Sequence, residues 1–218
     1  MNIDYSLYVI LDARASQGRS LLDIAQSSVK GGATVLQLRE KNLTTRQLVY
    51  AALELRMWAH EAHVPYIIND RVDIALAVDA DGVHLGPDDL PLDMARRILG
   101  PQRVIGVSAG TVEEAREAER AGADYIGVGA VFATASKADA GEPIGVGGFG
   151  EIARAVSIPA VAIGGVGYEN AALPVAAGAA GVAVISAVVG APDVERATRE
   201  MRRQIEQARS AMPGARPR

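Results

Sequence analysis

The 218-residue chain has no cysteine. That excludes disulfides, Cys-ligated zinc, Cys-ligated iron–sulfur clusters and thiol nucleophiles. Histidine is scarce too, with His60, His63 and His84 only, too few to anchor a His-based metal site. Aromatic residues make up 4% of a chain that is 49% hydrophobic. Small aliphatic side chains must therefore fill the core: there are 39 alanines beside 23 glycines, a composition too apolar for disorder. Positive charge is not in excess. The 22 Lys+Arg face 26 Asp+Glu, for a net charge of −4, which argues against nucleic-acid binding through bulk charge. No apolar run spans a membrane: the longest, 175–191, is broken by Gly178, Gly181, Ser186 and Gly190. Met1-Asn2-Ile3-Asp4-Tyr5-Ser6 lacks the basic and apolar regions of a signal peptide. The expectation is a cytoplasmic protein with small-molecule ligands and neither nucleic-acid nor membrane partners, a homo-oligomer being left open. Lysine is the last scarcity. Of the 22 basic residues only Lys30, Lys41 and Lys137 are lysines.

What is present alternates. Short apolar runs at 7–11, 34–38, 66–68, 82–84, 104–107, 125–127, 160–163 and 181–185 read as strands buried on both faces. Between them, amphipathic stretches at 21–29, 45–62, 72–77, 92–99, 112–121, 149–155, 170–177 and 194–208 read as helices. Thr111 followed by Glu114 predicts a capping box, and Gly122 and Gly178 stand where helices end. Eight strands each followed by a helix, in one composition regime, predict an α/β protein with a single (β/α)8 TIM barrel over residues 1–209. An open doubly wound sheet is disfavoured, because no Gly-x-Gly-x-x-Gly opens the first helix. Residues 210–218 have no periodicity and read as a disordered tail.

In such a barrel chemistry sits where strands run into the following loops. The second strand runs into Gln37-Leu38-Arg39-Glu40-Lys41. Alternation puts Gln37 and Arg39 on one side, opposite Leu38. Asn69 and Asp70 follow the third strand, Asp89 the fourth and Ser108 the fifth. Thr134-Ala135-Ser136-Lys137 follows the sixth, Gly164-Gly165 the seventh and Ser186 the eighth. Asp70 and Asp89 are hard oxygen ligands suited to Mg²⁺, which is held by one or two carboxylates plus substrate phosphates. Arg39, Lys41 and Lys137 add cations on the same face. The set reads as a site for a magnesium-bound diphosphate. Gly165 and Ser186, with Thr134 and Ser136, read as a second site, for a monophosphate. Plainer roles stand beside these: a helix cap for Asp70, a turn for Asp89, an ion pair for Arg39 and a satisfied core position for His84.

These strings, together with Asp81-Gly82-Val83-His84-Leu85-Gly86, Gly106-Val107-Ser108, Ile163-Gly164-Gly165 and Val184-Ile185-Ser186, resemble the thiamine phosphate synthase family over about residues 7–205. The resemblance implies an enzyme joining hydroxymethylpyrimidine diphosphate to a thiazole phosphate, with release of diphosphate. It implies that Gln37, Leu38, Arg39, Glu40, Lys41 and Asn69 hold the pyrimidine diphosphate and that Asp70 and Asp89 bind Mg²⁺. It gives Arg39, Lys41, Ser108 and Lys137 the catalytic roles. Thr134, Ala135, Ser136, Gly165, Ile185 and Ser186 would hold the thiazole phosphate. The chain departs from the family pattern at Pro87 (commonly Gln), Gly110 (often His), Ala130 and Ala133 (prolines) and Ser136 (Thr). Two other readings stand beside this one. A thiazole tautomerase-like barrel resembles this chain but places a catalytic histidine where Ala130 stands. A non-catalytic phosphate-ligand binder has no need of both carboxylates and both lysines.

Overall fold

In a computed structural model, which describes residues 3–134, 136 and 141–211, the apolar runs pair side by side in chain order. They are β1 (Leu7–Asp12), β2 (Val35–Arg39), β3 (Tyr66–Asn69), β4 (Gly82–Leu85), β5 (Val104–Ala109), β6 (Tyr125–Val128), β7 (Ala160–Ile163) and β8 (Gly181–Val184). Each pairs in parallel with the next, and β8 closes on β1 through Leu7–Val182, Tyr8–Ala183 and Val9–Val184. The predicted (β/α)8 barrel is the fold. Around it run α1 (Leu21–Lys30), α2 (Thr45–Glu61), α3 (Val72–Ala77), α4 (Leu92–Leu99), α5 (Val112–Ala121), α6 (Gly145–Arg154), α7 (Ala172–Ala176), α8 (Ser186–Val189) and α9 (Val194–Ser210). Among the described residues no helix is long and apolar enough to cross a membrane.

Strand alternation sorts the core into two layers. Tyr8, Ile10, Val35, Ile67, Val104, Tyr125, Val161 and Ala183 fill the barrel interior. Leu7, Val9, Leu11, Leu36, Leu38 and Ile68 point outward and meet Ala25, Ala52, Ala59, Ala75, Ala95 and Ala115 on the helices. The many alanines thus have a packing role: a helix face of methyl groups lets the helix lie close to the strands. Inside, the shortage of aromatics is met by few but central rings. Tyr125 is fully buried, and it fits because Gly106 on the next strand has no side chain. A methyl group there would overlap the Tyr125 ring. Gly106→Ala should therefore cost ~1–3 kcal/mol. At this chain length that lowers the thermal midpoint by roughly 3–10 °C. A melt indistinguishable from wild type would mean that the ring moves aside freely.

The structure corrects several boundaries. β2 begins at Val35 rather than at residue 34. β8 stops at Val184, and Ile185 caps the unpredicted α8. β1 to β6 run one or two residues further toward their C-terminal ends than the apolar runs suggested, taking in Asp12, Arg39 and Asn69. α6 starts four residues early, at Gly145, through glycines that read as loop. α7 is shorter than 170–177 because Asn170 turns back, accepting from the Gly167 N–H at 2.8 Å and donating to the Gly165 carbonyl at 3.0 Å. Ser210 belongs to α9 rather than to a tail, its hydroxyl donating to the Glu206 carbonyl at 2.9 Å. Residues 212–218 of the predicted tail lie outside the described residues. The capping box at α5 is half formed. Thr111 accepts from the Glu114 N–H, but the Glu114 carboxylate accepts from Gly110 at 2.7 Å instead of from Thr111.

Candidate active site

The C-terminal strand ends surround a cavity of about 1600 Å³. Asp12, Asp89, Ser108, Thr134, Ser136, Gly165, Ile185 and Ser186 are among its lining residues. Gln37, Leu38, Arg39, Glu40, Lys41, Asn69 and Asp70 stand on β2 and β3 or directly after them. Arg39 ends β2 and is buried against Asp12 at the end of β1: Nη1 donates to Asp12 Oδ2 at 2.6 Å. The ion pair anticipated for Arg39 is therefore formed, with Asp12 as the acidic neighbour. Glu40 instead accepts from the Asn42 N–H at 2.8 Å and shapes the loop. Leu38 points outward into the helix–strand layer, so its side chain is a core residue. Gln37 points inward and lies deeper than the rim, its amide donating to the Tyr8 hydroxyl at 2.8 Å. Asn69 is buried at the end of β3.

Asp70 adopts a left-handed backbone, φ 63°, and leads into α3. It is not the predicted helix cap: Arg71 occupies the cap position, and no side chain caps this helix. The Asp70 carboxylate lies 3.5 Å from Lys41 Nζ and within hydrogen-bonding reach of Asp89. Burial, and next the neighbouring Asp89 carboxylate, push Asp70 up to about 6 against the opposing pull of Lys41. Asp89 serves the turn as anticipated, Oδ2 accepting from the Gly86 N–H at 2.6 Å. Among the described residues no group of three or more acidic or His side chains could hold a metal ion. The donor chemistry still fits magnesium. Two adjacent carboxylates, one of which raises the proton affinity of Asp70, suit a hard dication whose other ligands are water and substrate phosphate.

Below the rim a polar chain crosses the barrel. Gln37 bonds to Tyr8, the Tyr8 and Tyr125 hydroxyls are 3.0 Å apart, Tyr125 meets His84 Nδ1 at 3.0 Å, and His84 Nε2 meets Ser108 Oγ at 3.1 Å. Burial pushes both phenols above their ordinary range, so they stay protonated hydroxyls. His84 is the satisfied interior residue expected of it. It also joins two candidate site residues, Gln37 and Ser108, from opposite sides of the barrel.

On the far side, Ser136 Oγ and Ser186 Oγ are 3.2 Å apart, and Thr134 Oγ1 accepts from the Ser136 N–H at 3.2 Å. The loops after β6 and β8 thus bring hydroxyls together. Gly164 and Gly165 have φ of 93° and 64°. A side chain at Gly165 would collide with Ala133 and Phe132, so glycine there lets the loops after β6 and β7 lie against each other. Ile185 is buried in the interior layer, directly before α8. Ala135 and Lys137 lie outside the described residues.

Sequence reasoning missed Asp12. Its signal was present, a charged residue closing an otherwise apolar first strand, the same pattern that singled out Arg39 on the second.

A family model described as thiamine monophosphate synthase matches residues 7–188. A thiamine-phosphate synthase of Moorella thermoacetica is 52% identical over 205 residues, covering 94% of this chain and 98% of that protein. One from Roseiflexus castenholzii is 55% identical over 195 residues, covering 89% and 86%. Among solved structures, a thiamine phosphate pyrophosphorylase from Pyrococcus furiosus superposes with a TM-score of 0.86 at 44% identity, covering 94% of this chain and 97% of that one. The chain belongs to the thiamine monophosphate synthase family.

Proposed function

We infer that this chain is a transferase that joins 4-amino-2-methyl-5-hydroxymethylpyrimidine diphosphate to a thiazole phosphate, giving thiamine phosphate and diphosphate. One observation carries the reading beyond family membership. One cavity is lined on one side by Asp12 and Asp89, which Arg39 and the Lys41–Asp70 pair adjoin at the ends of β2 and β3, and on the other by a hydroxyl and glycine cluster after β6–β8, with Thr134, Ser136, Gly165 and Ser186. Two anionic substrates that must meet would need two such clusters facing one space.

The C–O bond from the pyrimidine methylene to the diphosphate breaks, and its electron pair leaves with the diphosphate. The ring amino group donates electrons to the developing cationic methylene, and the thiazole nitrogen lone pair forms the new C–N bond. No protein nucleophile is needed, in keeping with a chain that has no cysteine. The chain's own work is positioning and charge. Lys41 and Arg39 face the leaving group's charge, Gln37, Asn69 and Ser108 orient the pyrimidine, and the hydroxyls of Ser136 and Ser186 hold the thiazole phosphate. Magnesium held by Asp70 and Asp89 would supply further charge neutralisation to the diphosphate. We place the reaction in the cytoplasm.

The test is to incubate the purified protein with both substrates, with and without Mg²⁺, and to measure thiamine phosphate and diphosphate. Equal yields of both, dependent on metal, support the reading. Absence of product, with the thiazole phosphate still bound, overturns it. The phosphate cluster has its own test. Ser186→Ala should raise KM for the thiazole phosphate roughly tenfold, the scale of a hydrogen bond to a charged group, with a smaller change in kcat. An unchanged KM would remove Ser186 from that site.

A further inference from the structure

The geometry points to Asp12 as a positioning residue for Arg39, a role that rests on the transfer reaction inferred above. Among the described residues six carboxylates line the cavity, and Asp12 is the one paired with Arg39. It is held there tightly. Asp12 and Arg39 are register partners at the ends of adjacent parallel strands. Oδ2 accepts from Arg39 at 2.6 Å, while Oδ1 accepts from the Arg14 N–H at 2.9 Å. The Asp12 carbonyl accepts from the N–H groups of Ala15 and Ser16. Both carboxylate oxygens and the backbone are therefore fixed.

The effect falls on Arg39. A long guanidinium side chain left alone samples many rotamers and loses that freedom on binding. Paired at one nitrogen with a rigid carboxylate, Arg39 is restricted before substrate arrives. Among the described residues nothing else accepts from its remaining N–H groups, which leaves them for the diphosphate. The pair trades some attraction for orientation. Asp12 lowers the net charge that draws the diphosphate in, and in return sets the cation where the leaving group's charge develops. A purely structural pair would stabilise the fold and leave the kinetics of folded protein alone.

Asp12→Asn removes the charge and keeps only one of the two accepting oxygens, so either Arg39 or the Arg14 N–H loses its partner, and the cycle with Arg39 below separates the two roles. Its kcat should fall ~10–100-fold, the scale of a misplaced catalytic group. KM for the pyrimidine diphosphate should stay level or fall, since a repelling charge has been removed. In an Arg39→Gln background the same substitution should have no further effect on kcat, as a double-mutant cycle requires when one residue acts through the other. Wild-type kcat in Asp12→Asn, or an equal loss in the Arg39→Gln background, would overturn the role. So would failure of both Asp12→Asn and Asp12→Ser to fold, which would make the residue structural. Inactivity of the wild-type protein would instead refute the transfer reaction itself.

Discussion

Asp89→Ala is expected to lose ~100-fold or more in turnover, the order expected when a metal-bound diphosphate loses several kcal/mol of charge stabilisation. The residue has two roles, and a control separates them. Its carboxylate stands beside Asp70, and one of its oxygens also closes the turn onto the Gly86 N–H. Asp89→Asn keeps an acceptor for that N–H and removes the charge. If metal binding is the main role, both variants lose activity alike, both need much more Mg²⁺ for half-maximal rate, and both melt near wild type. If the turn is the main role, only Asp89→Ala suffers, and its thermal midpoint drops. Full activity in both variants, measured across a Mg²⁺ titration at saturating substrates, would take Asp89 out of the site.

The architecture was legible because a closed parallel barrel writes itself plainly. Buried strands appear as short apolar runs and surface helices as periodic ones, and neighbours in sequence are neighbours in space. That order also put Asp70 and Asp89 on adjacent strand ends, so their proximity followed from the topology. Other features left no local trace. α8 is four residues long, too short for any periodicity. α6 begins at Gly145-Val146-Gly147-Gly148, where weak helix propensity is overridden by packing of Phe149 and Ile152 into the core. The partner of Arg39 lies 27 positions away. The sequence suggested that Arg39 would find an acid, and only the register of β1 against β2 says which one. The polar chain from Gln37 to Ser108 is hidden for the same reason, since it links five strands across the interior through hydroxyls that look like ordinary core tyrosines.

Lys137→Ala should be comparably damaging, with kcat falling ~100-fold or more. Lys137 lies outside the described residues, but the charges around the cavity call for a cation of its kind. Among the described residues, Arg14, Arg39 and Lys41 stand around the cavity and rim with Asp12, Asp70, Asp88, Asp89, Asp93, Glu114 and Glu117. Three cations against seven carboxylates leave the surroundings negative. Arg39 is paired with Asp12, and Lys41 lies 3.5 Å from Asp70. A diphosphate leaving with an electron pair needs positive charge that such a rim does not supply, so the difference must come from metal and from a further cation. Lys137 is the one lysine in the segment after β6, one residue beyond Ser136, whose hydroxyl meets Ser186. Its loss should therefore act on the bond-breaking step. Single-turnover rates should fall with kcat, KM for the thiazole phosphate should hold, and Lys137→Arg should recover part of the rate because it keeps the charge. A wild-type single-turnover rate in Lys137→Ala would mean that magnesium and the described rim carry the leaving group alone, with the metal on the carboxylate pair supplying the missing positive charge.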